Sequence, residues 1–142
     1  MPTRLPVSAR DAPARFRQVN LPAFPEALRP ARQWTNRTLQ DWQLTESTHT
    51  VEQLVSELLA NSIEHARTTS VGVCLIDADR TLLIEVDDTD AERLPTRRAP
   101  SLDDTSGRGL LIVEELSDRW GVRVTNHGKT VWCELAILRE SS

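Results

Sequence analysis

The sequence has few cysteines, few histidines and no long hydrophobic segment, and each shortage argues against a class of protein. Cys74 and Cys133 lie in predicted strands without metal-ligand spacing, so we expect two buried free thiols rather than a disulfide. The histidines, at positions 49, 65 and 127, show no zinc pattern. No apolar run could span a bilayer, and the first eight residues lack the apolar centre of a signal peptide. A cytoplasmic protein without membrane contact is expected.

Composition indicates one globular domain, because 142 residues with 39% hydrophobic and 27% charged residues can bury a single core. From its start to Arg37 the chain has seven arginines and two acids, a net charge of +5. Because the whole chain has a net charge of −4, the remainder carries −9. These arginines are scattered without interleaved aromatics, which argues against direct nucleic-acid binding. The acidic remainder disfavours a polyphosphate unless Mg²⁺ and backbone donors assist.

Hydrophobic periodicity predicts an α+β two-layer sandwich with a mixed, mostly antiparallel sheet and helices on one face. Residues 1–13 are expected to be a disordered tail. Strands are predicted at residues 16–21, 71–76, 81–88, 122–126 and 130–138, with hairpins after the second and fourth. Helices are predicted at residues 25–42, from Thr48 or Thr50 to about Ala66, and from the glycines at 107 and 109.

The second predicted helix places a carboxylate and an amide one turn apart, beside its apolar stripe. Asn61 follows Glu57 by four positions, about one helical turn, so the two side chains lie on the same flank of the helix. A carboxylate can orient or deprotonate a hydroxyl, and an amide oxygen can ligate a hard cation. The alternative is that both residues form only the solvated margin of the stripe.

The third predicted strand ends in acids, and its alternation assigns one of them to the buried face. Asp88 shares that face with Ile84 and Val86, whereas Glu85 and Asp87 point the other way. A buried carboxylate needs a donor from the protein or from a ligand. Alternatively, Asp88 already turns out to water at the end of the strand.

The third predicted helix begins with Gly107-Arg108-Gly109-Leu110. Free backbone N–H groups at a helix start, without Cβ atoms in the way, suit a phosphate. Thr105 or Ser106 could instead cap an ordinary helix. The chain contains no P-loop, and the two glycines do not follow a strand directly, which argues against a Rossmann turn.

In this order, the three segments resemble the N, G1 and G2 boxes of the histidine-kinase-like ATPases, the Bergerat fold shared with gyrase. The closer resemblance is to bacterial anti-sigma-factor serine kinases and their actinobacterial relatives. The matching segments are residues 56–66, 85–90, 107–121 and 128–132. The resemblance extends from about Arg15 to Arg139, which implies a domain at 14–140 with an ATP lid at 89–106.

The resemblance implies phosphoryl transfer from ATP to a protein hydroxyl. Glu57 would be the general base, Asn61 would ligate Mg²⁺, and Asp88 would accept from the adenine amino group. Backbone amides from Gly107 to Leu110 would hold the phosphates. The remaining expected ATP-binding residues are Arg108, Thr130 and Asp90, the last replacing the glycine common in the family's G1 box. Arg97 or Arg98 of the lid could reach a phosphate or be merely solvated.

The implied function is that of an ATP-binding anti-sigma factor with serine/threonine kinase activity toward an anti-sigma-factor antagonist. Its partners would be that antagonist and a sigma factor. One alternative is a non-catalytic regulator-binding module with a weak or degenerate nucleotide site, and another is an autonomous ATPase or nucleotide sensor.

Trp42 and Trp120 are predicted at helix ends in the core. Trp132 lies on the opposite side of its strand from Val131, where it could cover a helix or form a homodimer contact.

Overall fold

The computed structural model describes residues 15–65, 69–89, 107–125 and 128–137. These residues form five strands and three α-helices, and short 3₁₀ turns at Pro25–Ala27 and Thr45–Ser47 precede the first two helices. The elements are β1 (Arg15–Pro22), α1 (Leu28–Asp41), α2 (Thr48–His65), β2 (Ser70–Asp77), β3 (Thr81–Thr89), α3 (Gly107–Leu116), β4 (Arg119–Thr125) and β5 (Gly128–Ala136).

The strands form one sheet in the order β1-β2-β3-β5-β4. Every neighbouring pair is antiparallel, including the two predicted hairpins, β2–β3 and β4–β5. The non-sequential neighbours are β3 and β5, which pair after the chain has passed through α3 and β4. The predicted α+β fold with helices on one face of the sheet is confirmed.

The helices pack on one side of the sheet, which we call the helix face. Its centre consists of side chains aligned by strand register, such as Val73, Val86 and Val131 in one row. Helix α2 lies across this face, with α1 on one side of it and α3 on the other. Each fully buried leucine or valine contributes about 1.5–3 kcal/mol of transfer free energy, so this interface supplies most of the stabilisation.

Helix α1 buries the side that its periodicity predicted. Thr35 is fully buried, and its Oγ1 donates to the backbone carbonyl of Ala31 over 2.9 Å, so the hydroxyl carries no unmet hydrogen bond. Trp42 follows the last turn, and the guanidinium groups of Arg15 and Arg17 lie 5.2 and 5.9 Å from its ring centroid. Helical spacing predicts an inner side formed by Ala27, Leu28, Ala31, Thr35, Thr38, Leu39 and Trp42, and all of these are buried except Leu28, which is half-buried.

Two predictions near the third helix are wrong. Helix α3 ends at Leu116, which is exposed, and Trp120 belongs to β4, where it packs against the core from a strand. The chain leaves the helix because Asp118 joins the sheet edge, with its backbone N–H donating to the Glu134 carbonyl over 2.8 Å. Strand β5 begins at Gly128, two residues before the predicted start, so Lys129 belongs to the strand and not to the turn.

The opposite side of the sheet, which we call the outer face, carries no helix of the described part of the chain. It includes Phe16, which is exposed, and Trp132, which is half-buried. Cys74 also lies there and is half-buried, whereas Cys133 is buried on the helix face, so the prediction of two buried thiols is half right.

None of the described helices is long and apolar enough to cross a membrane. The predicted tail at residues 1–13 lies outside the described residues, as does the predicted lid after Thr89.

Candidate functional site

Asp88 is a buried carboxylate at the end of β3. Only 7% of its surface is exposed, and strand alternation places it on the helix face with Ile84 and Val86. The predicted burial is therefore confirmed, and the alternative that Asp88 turns out to water is excluded. A carboxylate in this position can accept hydrogen bonds from a ligand held between the sheet and the helices.

Asn61, in the penultimate turn of α2, is buried more deeply than a solvated margin would allow. It is 5% exposed, and its Nδ2 has no hydrogen-bond partner among the described residues. An unmet buried amide is costly, which indicates that a ligand or a solvent molecule normally completes it. The neighbouring His65 places its Nδ1 3.0 Å from the backbone carbonyl of Asn61 and so does not satisfy the side chain.

Glu57 lies one turn before Asn61 and is half-buried. Gln53, one turn earlier still, donates its Nε2 to Glu57 Oε2 over 2.8 Å. This contact orients the carboxylate along the helix surface and leaves it accessible to a partner from solvent. Glu64, the other acid on this flank, is exposed and belongs to the solvated margin of the helix.

Chain connectivity brings the end of α2 to the same end of the sheet as Asp88. Helix α2 ends at His65 and β2 begins at Ser70, so these two residues are at most about 18 Å apart. In the antiparallel register the start of β2 lies beside the end of β3, where Gly72 pairs with Asp87. Asn61 in the helix layer and Asp88 in the sheet therefore lie toward the same end of the molecule.

Helix α3 begins at Gly107, as predicted, and packs against α2. Its first-turn N–H groups have no acceptors within the helix and form a potential anion site. Leu110 is buried and anchors this turn to the core. The side chain of Arg108 lies outside the described residues, as does Asp90, so their predicted ATP contacts stay predictions.

Thr130 lies on the outer face, on the opposite side of the sheet from Asp88. Its hydroxyl donates to Oδ1 of Asp87, its partner in the β3–β5 register. The observed contact ties β5 to the strand end that carries Asp88. Direct contact between Thr130 and a nucleotide stays a prediction.

Sequence reasoning missed Lys129, which faces Asp88 across the β3–β5 pair. Burial lowers the pKa of its ammonium from 10.5, and the negative charge of Asp88 opposes this shift. The signal was present in the alternation of Lys129, Val131 and Cys133, but Lys129 was assigned to the hairpin turn. Extending the strand by two residues places it on the helix face.

Sequence reasoning also missed the burial of Glu85, which is 2% exposed although it lies on the outer face. Its Oε2 lies 3.7 Å from Nη2 of Arg123, two strands away on β4. Trp132 is the register partner of Glu85 on β5, and its ring packs against Gly121 of β4. This acid belongs to the packing of the outer face and not to the site on the helix face.

A shallow groove of about 490 Å³ lies between α1 and α2, away from these residues. Two hydrogen bonds link α1 to α2 here: Asn36 Nδ2 donates to Glu52 Oε2 over 3.1 Å, and Arg32 Nε donates to Ser56 Oγ over 2.9 Å. None of the predicted site residues lines it, so we assign the candidate site to the end of the sheet near Asp88.

The profile of the histidine kinase-like ATPase domain matches residues 21–135. The chain belongs to this family. Membership supports ATP binding. A comparison with curated proteins gave no match.

The residues present fit a magnesium nucleotide, the ligand that a histidine kinase-like ATPase domain implies. No group of three or more His, Cys, Asp or Glu residues in the described ranges is arranged to hold a metal ion. Mg²⁺ commonly binds through one or two protein carboxylates together with substrate phosphates, so a magnesium nucleotide does not require such a group. Oδ1 of Asn61 would be the metal ligand, whereas the unmet Nδ2 is a donor and would serve an acceptor oxygen of the ligand or of solvent.

Proposed function

We propose that this protein is an ATP-binding anti-sigma factor that phosphorylates a serine or threonine of an anti-sigma-factor antagonist. The main support is the buried Asp88 on the helix face, at the end of the sheet where the buried amide of Asn61 also lies. Family membership supports the nucleotide, and the likeness of the N, G1 and G2 boxes to anti-sigma-factor kinases supports the partners.

In this proposal, Asp88 accepts a hydrogen bond from the exocyclic amino group of adenine, and backbone amides from Gly107 to Leu110 bind the phosphates. Asn61 holds Mg²⁺, which neutralises phosphate charge when bound. Arg108 and Asp90 are further proposed ATP contacts.

Glu57 is the proposed general base. The hydroxyl oxygen of the acceptor attacks the γ-phosphorus, the bond from that phosphorus to the bridging oxygen breaks, and ADP leaves with that electron pair. The hydroxyl proton moves to the Glu57 carboxylate. The half-buried position of Glu57 suits this role, since a folded protein substrate must reach it from solvent. Positioning and charge stabilisation account for most of the acceleration in such transfers.

The nucleotide site is tested by calorimetry with ATP and ADP in the presence and absence of Mg²⁺. Asp88→Asn should weaken binding about 10-fold or more, because a charge-assisted acceptor is lost. The matched control is Asp87→Asn, one residue earlier on the other face, which should change affinity less than about threefold. Asn61→Ala should remove most of the affinity gained from Mg²⁺. Equal binding by the Asp88 and Asp87 variants would refute the proposed site.

Phosphoryl transfer is tested by mixing the protein with ATP, Mg²⁺ and an antagonist. Glu57→Ala should abolish transfer while leaving nucleotide affinity within about twofold, because the base acts only in the chemical step. Glu64→Ala, an exposed acid on the same helix, should leave transfer unchanged. A stable complex with a sigma factor but no phosphate on any antagonist would favour a non-catalytic binding module instead.

The outer face is the proposed site of homodimer contact. It carries the exposed Phe16 and the half-buried Trp132, and no described helix covers it. Light scattering of the purified protein would give the mass of a dimer under this proposal and of a single chain otherwise.

A further inference from the structure

Lys129 and Asp88 are directly opposite each other on β5 and β3. Directly opposed residues on antiparallel strands have Cβ atoms about 4.5–5.5 Å apart and point to the same side of the sheet. Both therefore project from the helix face, at the end of the sheet where Asn61 also lies. The Lys129 side chain is long enough to reach any ligand that the Asp88 carboxylate contacts.

The surroundings of Lys129 are unusual for a lysine. Lysines are mostly exposed, yet this one is half-buried, and burial lowers the pKa of its ammonium despite the nearby Asp88 charge. The lysine ammonium has three N–H donors, and when it is partly desolvated each hydrogen bond to an acceptor stabilises it. The carboxylate of Asp88 supplies acceptor oxygens on one side of the ammonium, and a ligand bound at Asp88 would supply a further acceptor.

We propose that Lys129 is a second base-recognition residue of the nucleotide site and donates to a purine ring nitrogen beside the amino group that binds Asp88. This inference rests on the proposed nucleotide site. In adenine the exocyclic amino group is a donor, and the adjacent ring nitrogens N1 and N7 are acceptors. A carboxylate and an ammonium side by side match this donor–acceptor pair, whereas a carboxylate alone reads only the donor.

The alternative role of Lys129 is to neutralise Asp88 without touching a ligand, and deaza analogues separate the two roles. ADP, 1-deaza-ADP and 7-deaza-ADP each keep the amino group, but each analogue lacks one acceptor nitrogen. Calorimetry on wild type should show about 10-fold weaker binding for one of the two analogues, as expected for a lost hydrogen bond to a charged donor. In Lys129→Met that analogue and ADP should bind equally.

Lys129→Met should bind ADP about 10-fold more weakly than wild type, and Lys129→Arg should stay within about threefold. Methionine keeps the length of the side chain, and thermal unfolding of the Lys129→Met variant should show that its fold is intact. If all three nucleotides bind wild type equally, or if the loss persists in Lys129→Met, the inference is overturned while the Asp88 site stands. Absence of ADP binding by wild type would overturn both.

A chemical readout independent of affinity is also possible, because Lys129 is the only lysine in the sequence and all other members of the 17 basic residues are arginine. An amine-reactive acylating reagent would modify Lys129 and the terminal amine, which peptide mapping separates. Saturating ADP should slow acylation of Lys129 at least about fivefold but leave the terminal amine unaffected. Unchanged acylation of Lys129 in saturating ADP would contradict the inference.

Discussion

Glu85 and Asp88 are two buried acids three residues apart on β3, yet they face opposite sides of the sheet. The odd spacing decides this, because side chains alternate along a strand. Glu85 lies near Arg123 on the outer face, whereas Asp88 faces the helices beside Lys129. Both acids are buried, but of these two only Asp88 is positioned to contact a ligand between the sheet and the helices.

Gly121 allows the Trp132 ring to lie flat against β4. A Cβ at Gly121 would lie 2.9 Å from the ring, so Gly121→Ala should lower the free energy of unfolding by about 1–3 kcal/mol. Gly72→Ala is the matched control, since the nearest atom to its Cβ would be the movable end of Asn20, at 3.1 Å. Urea unfolding measures both.

Adding Trp132→Leu to Gly121→Ala should recover part of the loss, because the smaller side chain removes the steric conflict. The guanidinium of Arg119 stands 5.9 Å from the ring centroid and would lose this contact in the double variant, so recovery should be incomplete. Equal effects of alanine at Gly121 and Gly72 would show that the ring is free to move away.

At the scale of elements, α2 combines a tightly packed side with polar groups that the packing does not satisfy. Its apolar residues Val51, Val55 and Leu58 are fully buried against the sheet. Ser62 is equally buried, but its hydroxyl has no hydrogen-bond partner among the described residues. Ser56, on the side toward α1, accepts from Arg32 Nε over 2.9 Å. The two serines of one helix therefore differ in what their hydroxyls contribute.

Ser62→Ala should leave stability unchanged or raise it by up to about 1 kcal/mol, because alanine removes an unmet polar group and has a higher helix propensity. Ser56→Ala should lower stability by about 0.5–1.5 kcal/mol, since it removes the acceptor of Arg32. Thermal unfolding of the two variants measures the difference. A clear loss from Ser62→Ala would instead indicate a bound water or ligand that the hydroxyl holds in place.

The whole molecule has one core, between the helix face and three helices, and Cys133 lies within it. Burial, assisted by the charge of Glu134, raises the pKa of the Cys133 thiol from 9.0 to about 12. The folded state keeps this proton at a pH where the unfolded state has lost it. The resulting contribution to stability is therefore complete below pH 9.0 and is lost as the pH rises from 9.0 toward about 12.

Urea midpoints measured between about pH 8 and pH 10.5 should fall less steeply for Cys133→Ala than for wild type. One thiol can contribute a slope of at most about 1.4 kcal/mol per pH unit. The lowered pKa of Lys129 acts in the opposite direction, because the unfolded state then binds more protons, but both proteins contain it. Parallel curves for the two proteins would mean that Cys133 is accessible to solvent in the native state.

Local patterns predicted most of the fold. Alternation identified all five strands, helical spacing identified the inner side of α1, and the boxes identified Glu57, Asn61, Asp88 and Gly107 as candidates. The errors occurred at the limits of elements. Apolar spacing continues from α3 to Trp120, which belongs to β4, and Gly128 and Lys129 have the composition of a turn although they open β5. At these positions hydrogen bonds to distant strands override the local signal.

The sequence by itself determined which face of β3 Asp88 occupies, since alternation depends only on neighbours in the chain. The tertiary structure decided that Lys129 faces Asp88, that Thr130 binds Asp87 and that Glu85 is buried. These contacts depend on the register between strands about 40 residues apart in the chain. Such register results from packing of the whole core, which no local segment encodes.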